Sequence, residues 1–148
     1  MIEYQGIFFD KDNSRLLDGK LKEIQNEKNF LPLERDIKDK HITFWYMPKA
    51  NFPGTLLDKE FEILVTGFGQ NKDNCGFRVE VPAALVAEYR GAEVPHITMQ
   101  ISKNGKTVNT ADLNFENIAA FPVKGKLAYV IDNKVLYSYP QVKIKNRR

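Results

Sequence analysis

The sequence predicts an α+β fold built from mostly antiparallel strands and one principal helix, and three observations carry that prediction. Runs of β-branched and aromatic residues of strand length recur between turn signals. A single long segment, from Ser14 to about Asn29, places Leu16, Leu17, Leu21 and Ile24 at helical spacing. A short motif, His-Ile-Thr, occurs at 41–43 and again at 96–98, at too large a spacing for a solenoid, which suggests two similar lobes meeting at a cleft.

The chain has 148 residues, enough for one core but not two. A single domain is expected over 1–140, followed by a basic tail over 141–148 that reads first as a solvated terminus. Hydrophobic residues make up 43% and charged residues 28%, the balance of a soluble globular protein. No apolar run has the length of a membrane span, and the N-terminus lacks the basic-then-apolar order of a signal peptide. A cytoplasmic monomer with no membrane partner is therefore expected. The net charge of +3 is too mild to announce a non-specific nucleic-acid binder. The lone Cys75 has no partner for a disulfide and reads as a small buried hydrophobe.

Residues 3 to 9 read as a first strand, with Tyr4, Gly6 and Phe8 on one face and Gln5, Ile7 and Phe9 on the other. After a break at Asp10 to Asn13, Ser14 is placed to cap the helix, which should pack across the sheet with its Lys and Glu residues in water. Phe30 to Asp39, with Pro32, reads as a loop into the first motif strand, which Pro48 ends. The stretch Pro48 to Asp58 is too punctuated for regular structure and lies where rims and lids often form. Its Lys49 is an exposed loop lysine or, functionally, a group that approaches a bound phosphate. Glu60 to Gly69 and Cys75 to Val81 alternate as a hairpin. In the returning strand Arg78 faces solvent or a cross-strand neighbour, with phosphate binding as its functional alternative. Pro82 to Tyr89 is a helical or irregular link. Beyond the second motif, Asn104-Gly105 marks a turn and Thr107 to Asn114 has room for one helical turn. Phe115 opens a last sheet region that Pro122 and Gly125 interrupt, and Lys126 to Ile131 with Lys134 to Tyr139 forms a terminal hairpin around Asp132-Asn133.

His41 and His96 are the only histidines in the chain, and the chance that Ile-Thr also follows the second is on the order of one in a few hundred. Strand alternation puts His41, Thr43 and Trp45 on one face and His96, Thr98 and Gln100 on the equivalent face of the second copy. If the two strands meet across a groove, two imidazoles and two hydroxyls converge. One neutral imidazole can then take a proton from a water or ribose hydroxyl while the other, protonated, gives one to a departing oxygen. The Thr hydroxyls can donate to non-bridging phosphate oxygens. Trp45 and Tyr4 are placed to border the groove and stack on a base, with core or rim packing as the plainer alternative.

Two His-x-Thr motifs in a small chain resemble the 2H phosphoesterase superfamily, in particular the cyclic phosphodiesterase domain of fungal and plant tRNA ligases and small phage 2H phosphodiesterases. Tyr4-Gln5-Gly6-Ile7-Phe8-Phe9-Asp10 is similar to the opening strand of the tRNA ligase type, and Asn74-Cys75-Gly76-Phe77-Arg78-Val79 to the strand before its second motif. The resemblance implies a compact, pseudo-symmetric, two-lobed sheet with the motif strands lining a central groove. It also implies catalysis by His41, Thr43, His96 and Thr98, with Tyr4, Trp45, Lys49, Arg78 and Gln100 as candidate binding residues. The expected activity is hydrolysis of a 2′,3′-cyclic phosphate on an RNA end or a nucleotide. The alternatives are hydrolysis of 3′-5′ cyclic di- or oligonucleotide immune signals, as phage members perform, and a non-catalytic module that holds an RNA end. The sequence has no phosphate loop, dinucleotide fingerprint, paired Cys or His-Glu-x-x-His site, and with both histidines moving protons no cofactor and no transition metal is expected.

Overall fold

The computed structural model describes residues 1–140; the basic tail 141–148 lies outside the described residues. In chain order the elements are β1 (Tyr4–Phe8), α1 (Lys11–Lys28), β2 (Arg35–Asp36), β3 (His41–Tyr46), β4 (Glu60–Gln70), β5 (Asn74–Glu80), β6 (His96–Ile101), β7 (Glu116–Ile131) and β8 (Lys134–Leu136). Short 3₁₀ turns at Gly54–Leu56, Ala83–Glu88 and Thr107–Asp112 fill three of the connections. The strands form one antiparallel sheet in the order β2-β6-β5-β4-β7-β1-β3, with β8 paired to β7. The α+β, mostly antiparallel reading therefore holds. Among the described residues no helix is long and apolar enough to cross a membrane.

That order places the two motif strands, β3 and β6, near opposite ends of the sheet. Five strand spacings would hold them about 24 Å apart in a flat sheet, yet they come within 8 Å of each other, Cα to Cα. The sheet therefore curls until its ends approach. The long strand β7 makes this possible, because its first half pairs with β4 and its last part, from Lys126, pairs with β1 as well. Pro122 and Gly125 do not interrupt it, as the sequence suggested. Pro122 lies where β7 has β4 as its only neighbour, so a missing N–H is tolerated. Gly125 is needed for close approach: a Cβ there would sit 2.4 Å from the Ile7 side chain.

The helix begins a turn earlier than expected. Asp10 caps it, its carboxylate accepting from the Asn13 amide at 2.8 Å, while Ser14 already makes the first helical bond to the Asp10 carbonyl. Its buried face consists of Leu17, Leu21, Ile24 and Gln25, whereas Leu16 is exposed. The apolar face joins one large core containing Ile7, Ile42, Phe44, Phe68, Phe77, Ile97 and Met99. A smaller cluster of Phe8, Ala128 and Val130, flanked by Tyr4 and Val135, forms separately. One further difference is local, and the expected terminal hairpin is present. The predicted loop after Phe30 contains the two-residue strand β2, which pairs with β6. The terminal hairpin turns on Asp132 and Asn133, both at positive φ (50° and 62°), as a tight two-residue hairpin turn requires.

Candidate active site

Each copy of the motif is held by the same backbone device. In β1–β3, Phe8 pairs with His41 and Gly6 with Thr43, and the register then slips so that Gln5 pairs with Trp45, leaving Phe44 as an extra residue. In β5–β6, Arg78 pairs with His96 and Gly76 with Thr98, and the register slips to pair Cys75 with Gln100, leaving Met99 extra. Both motif strands thus carry a β-bulge immediately after the Thr. The carbonyl of each extra residue is capped across the sheet's end: Arg90 N–H donates to Phe44 O at 2.7 Å, and Ile37 N–H to Met99 O at 3.0 Å. The glycines opposite the two Thr residues are obligatory, since a Cβ at Gly6 would lie 2.1 Å from Ile42 O and one at Gly76 2.6 Å from Ile97 O.

The histidines are oriented alike. Nδ1 of His41 lies 2.7 Å from the Asp39 carbonyl and Nδ1 of His96 lies 2.8 Å from the Val94 carbonyl. A carbonyl only accepts, so each Nδ1 carries the proton, and each Nε2 is left for chemistry. Both rings border a single cavity of about 590 Å³, whose lining also includes Thr43, Thr98, Tyr46, Tyr89, Arg90 and Val108. Burial lowers the pKa of both histidines. For His41 this outweighs its bond to Asp39 and the Asp39 charge, and the His96 charge lowers it further. For His96 burial outweighs the bond to Val94. Two imidazoles, both biased toward the neutral form, face one largely apolar space.

The structure brings His41, Thr43, His96 and Thr98 together and leaves the predicted binding residues outside the lining. The bulges explain two of them. Alternation predicts Trp45 and Gln100 on the His–Thr faces, but one extra residue shifts the phase. Tyr46, 72% exposed, then lines the cavity in place of Trp45, which instead lies 5.9 Å from the Arg90 guanidinium. Gln100 turns inward, accepting from Gln25 Nε2 and the Leu33 amide and donating to Asp36. Arg78 is opposite His96 in register, but its guanidinium turns away to Thr66 and Asn117. Lys49 is exposed and off the cavity. Tyr4 packs behind His41, ring centres 4.9 Å apart, and Phe8 stacks on the same imidazole at 5.0 Å.

Tyr46, Arg90 and Val108 are lining residues that reading the sequence missed. For Tyr46 a signal existed: an isolated glycine inside a strand marks a bulge or a close approach, and Gly6 and Gly76 stand in the neighbouring strands opposite Thr43 and Thr98. Arg90 and Val108 come from the turns after Ala83–Glu88 and within Thr107–Asp112, and nothing local marks them. Cys75 is fully buried beside Gln25 and its thiol is pushed up to about 12 by burial, as its reading as a core residue expects. Among the described residues no group of three or more His, Cys, Asp and Glu side chains comes together. Comparison of the chain with protein-family models finds none that matches, and comparison with curated proteins finds no match either.

Proposed function

We propose that the protein is a metal-independent phosphodiesterase of the 2H type, in which His41 and His96 act as general base and general acid on a nucleotide phosphodiester. The carrying observation is the repeated motif geometry: two imidazoles, each with Nδ1 tied to the carbonyl two residues earlier, turn toward one cavity with a Thr two positions along each strand. On this reading one neutral Nε2 takes the proton of an attacking water, whose oxygen forms the new bond to phosphorus. The other, protonated, gives its proton to the ribose oxygen as the old P–O bond breaks. Thr43 and Thr98 donate to the non-bridging oxygens, and Arg90 is the one Lys or Arg among the described lining residues. The curled sheet with its two bulged motif strands supports the two-lobed, central-groove arrangement of that superfamily.

The substrate proposed is a 2′,3′-cyclic phosphate on an RNA end or a nucleotide. A cavity of about 590 Å³ is within the range that small-ligand sites occupy, and its apolar walls suit a ribose and base more than a run of phosphates. The test is a metal-free panel of 2′,3′-cyclic nucleotides, cyclic dinucleotides and short RNAs, with products resolved as 2′- or 3′-phosphates. Turnover of the cyclic mononucleotides in EDTA is the expected result. Preference for cyclic dinucleotides would move the assignment to an immune-signal hydrolase, and tight binding without turnover would make the protein an RNA-end-binding module.

A further inference from the structure

The two motif threonines are not held alike. Thr98 Oγ1 lies 2.9 Å from Thr110 Oγ1, and Asn74 Nδ2 lies 3.0 Å from that same Thr110 oxygen and 2.7 Å from the Lys106 carbonyl. No such bond engages Thr43 Oγ1 among the described residues. Thr110 and Asn74 are both buried, at 0% and 1% exposure, in the wall between the 3₁₀ turn Thr107–Asp112 and the start of β5.

Proton bookkeeping gives this chain a direction. The Lys106 carbonyl can only accept, so the Asn74 amide must present its nitrogen there, even though that leaves Asn74 Oδ1 buried without a partner. The second amide proton then goes to Thr110 Oγ1. Thr110 has no access to water, and among the described residues the acceptor in reach of its own proton is Thr98 Oγ1. A hydroxyl that accepts here keeps its own proton for the cavity side, where the Thr107 carbonyl of the lining, a long 3.5 Å away, is the competing acceptor among the described residues.

We propose that Asn74 and Thr110 are positioning residues that aim the Thr98 hydroxyl proton into the cavity, at the non-bridging oxygen of a bound phosphodiester. The consequence for the substrate rests on the phosphodiesterase reading above; the direction of the relay does not. Successive donation polarises each member, so Thr98 is the stronger donor of the two motif threonines.

The experiment has two arms. In the first, hydroxyl protons of the full chain are followed by NMR, before and after titration with inorganic phosphate. The Thr110 hydroxyl should exchange slowly and show contacts to Thr98, while the Thr98 hydroxyl exchanges fast until phosphate is added. A protected Thr98 proton donated to Thr110 in the free protein would overturn the proposal. In the second arm, Thr110→Val should lower kcat on a 2′,3′-cyclic nucleotide by roughly 2- to 10-fold, the size of one hydrogen bond, and Thr110→Ser should rescue it. Made in a Thr98→Val background, Thr110→Val should cost nothing further, because its route to the substrate is already gone. An equal loss in both backgrounds would show a purely structural role and sink the relay. If the wild type turns over no phosphodiester, the functional reading falls, while the first arm still decides the relay.

Discussion

The β1–β3 and β5–β6 pairs share a backbone and differ in what surrounds it. Each has a glycine opposite the Thr, a bulge after it, a capped bulge carbonyl and a histidine fixed through Nδ1. The neighbours are unrelated. His41 packs against the rings of both Tyr4 and Phe8, which also stack on each other, whereas His96 has Arg78 opposite it in register. Thr98 is tied to a buried polar chain, and Thr43 is not. Beyond the bulge, Trp45 stays half-buried near Arg90, while Gln100 is locked into a cluster with Gln25 and Asp36. The backbone symmetry sets where the four motif side chains converge, and the unlike surroundings give otherwise identical side chains different environments.

The largest expected effect tests what the halves share. His41→Ala and His96→Ala should each lower kcat by roughly 10²- to 10⁴-fold, the usual contribution of a general acid or base, with unchanged circular dichroism. Near-normal turnover in either variant would remove that histidine from the mechanism.

Next come the glycines. Gly6→Ala and Gly76→Ala each drive a Cβ into a neighbouring carbonyl, and overpacking of this kind typically costs about 1–3 kcal/mol. Denaturant titration should show both variants destabilised, Gly6→Ala more so because its clash is closer, at 2.1 Å against 2.6 Å. Equal stability to wild type would mean that the bulges relax freely and do not fix the motif.

The two aromatic residues flanking the first bulge separate phase from chemistry. Tyr46→Leu should weaken binding of a 3′-nucleotide by about 1–3 kcal/mol if a base stacks there, measured by calorimetry, and Trp45→Leu should leave that affinity close to wild type. The reverse ranking would show that the strand's face continues through the bulge.

Dependence on pH should be opposite for rate and stability. Burial holds both histidines below the ordinary value of 6.5, and the proposed reaction needs one neutral and one protonated. The profile of kcat/KM should therefore be a bell centred on the acid side of 6.5. Stability moves the other way: below 6.5 the unfolded chain takes up protons that the folded one resists, so stability is lost as pH falls from 6.5 toward the folded values. The smallest effect expected is that His41→Gln flattens this acid loss in thermal melts. An identical pH slope in the variant would contradict the burial of that ring.

The alternation of Ile42 and Phe44, or of Ile97 and Met99, is a property of a few adjacent residues, and it was enough to place the four motif side chains on strands facing away from the core. The helix was legible for the same reason, through Leu17, Leu21 and Ile24, and its start was misplaced only because Asp10 caps before Ser14 can. Side-chain placement beyond each Thr was not legible, since a bulge is decided by the partner strand and needs Gly6 and Gly76 across the ladder. The convergence of His41 and His96 is further removed still. It depends on the curl of the whole sheet through β7, which carries strands from opposite ends of the order to within 8 Å. Local periodicity fixes which face a residue takes; only long-range pairing fixes which faces meet, because the register that shifts a phase and the twist that closes a sheet belong to pairs of strands and not to either strand alone.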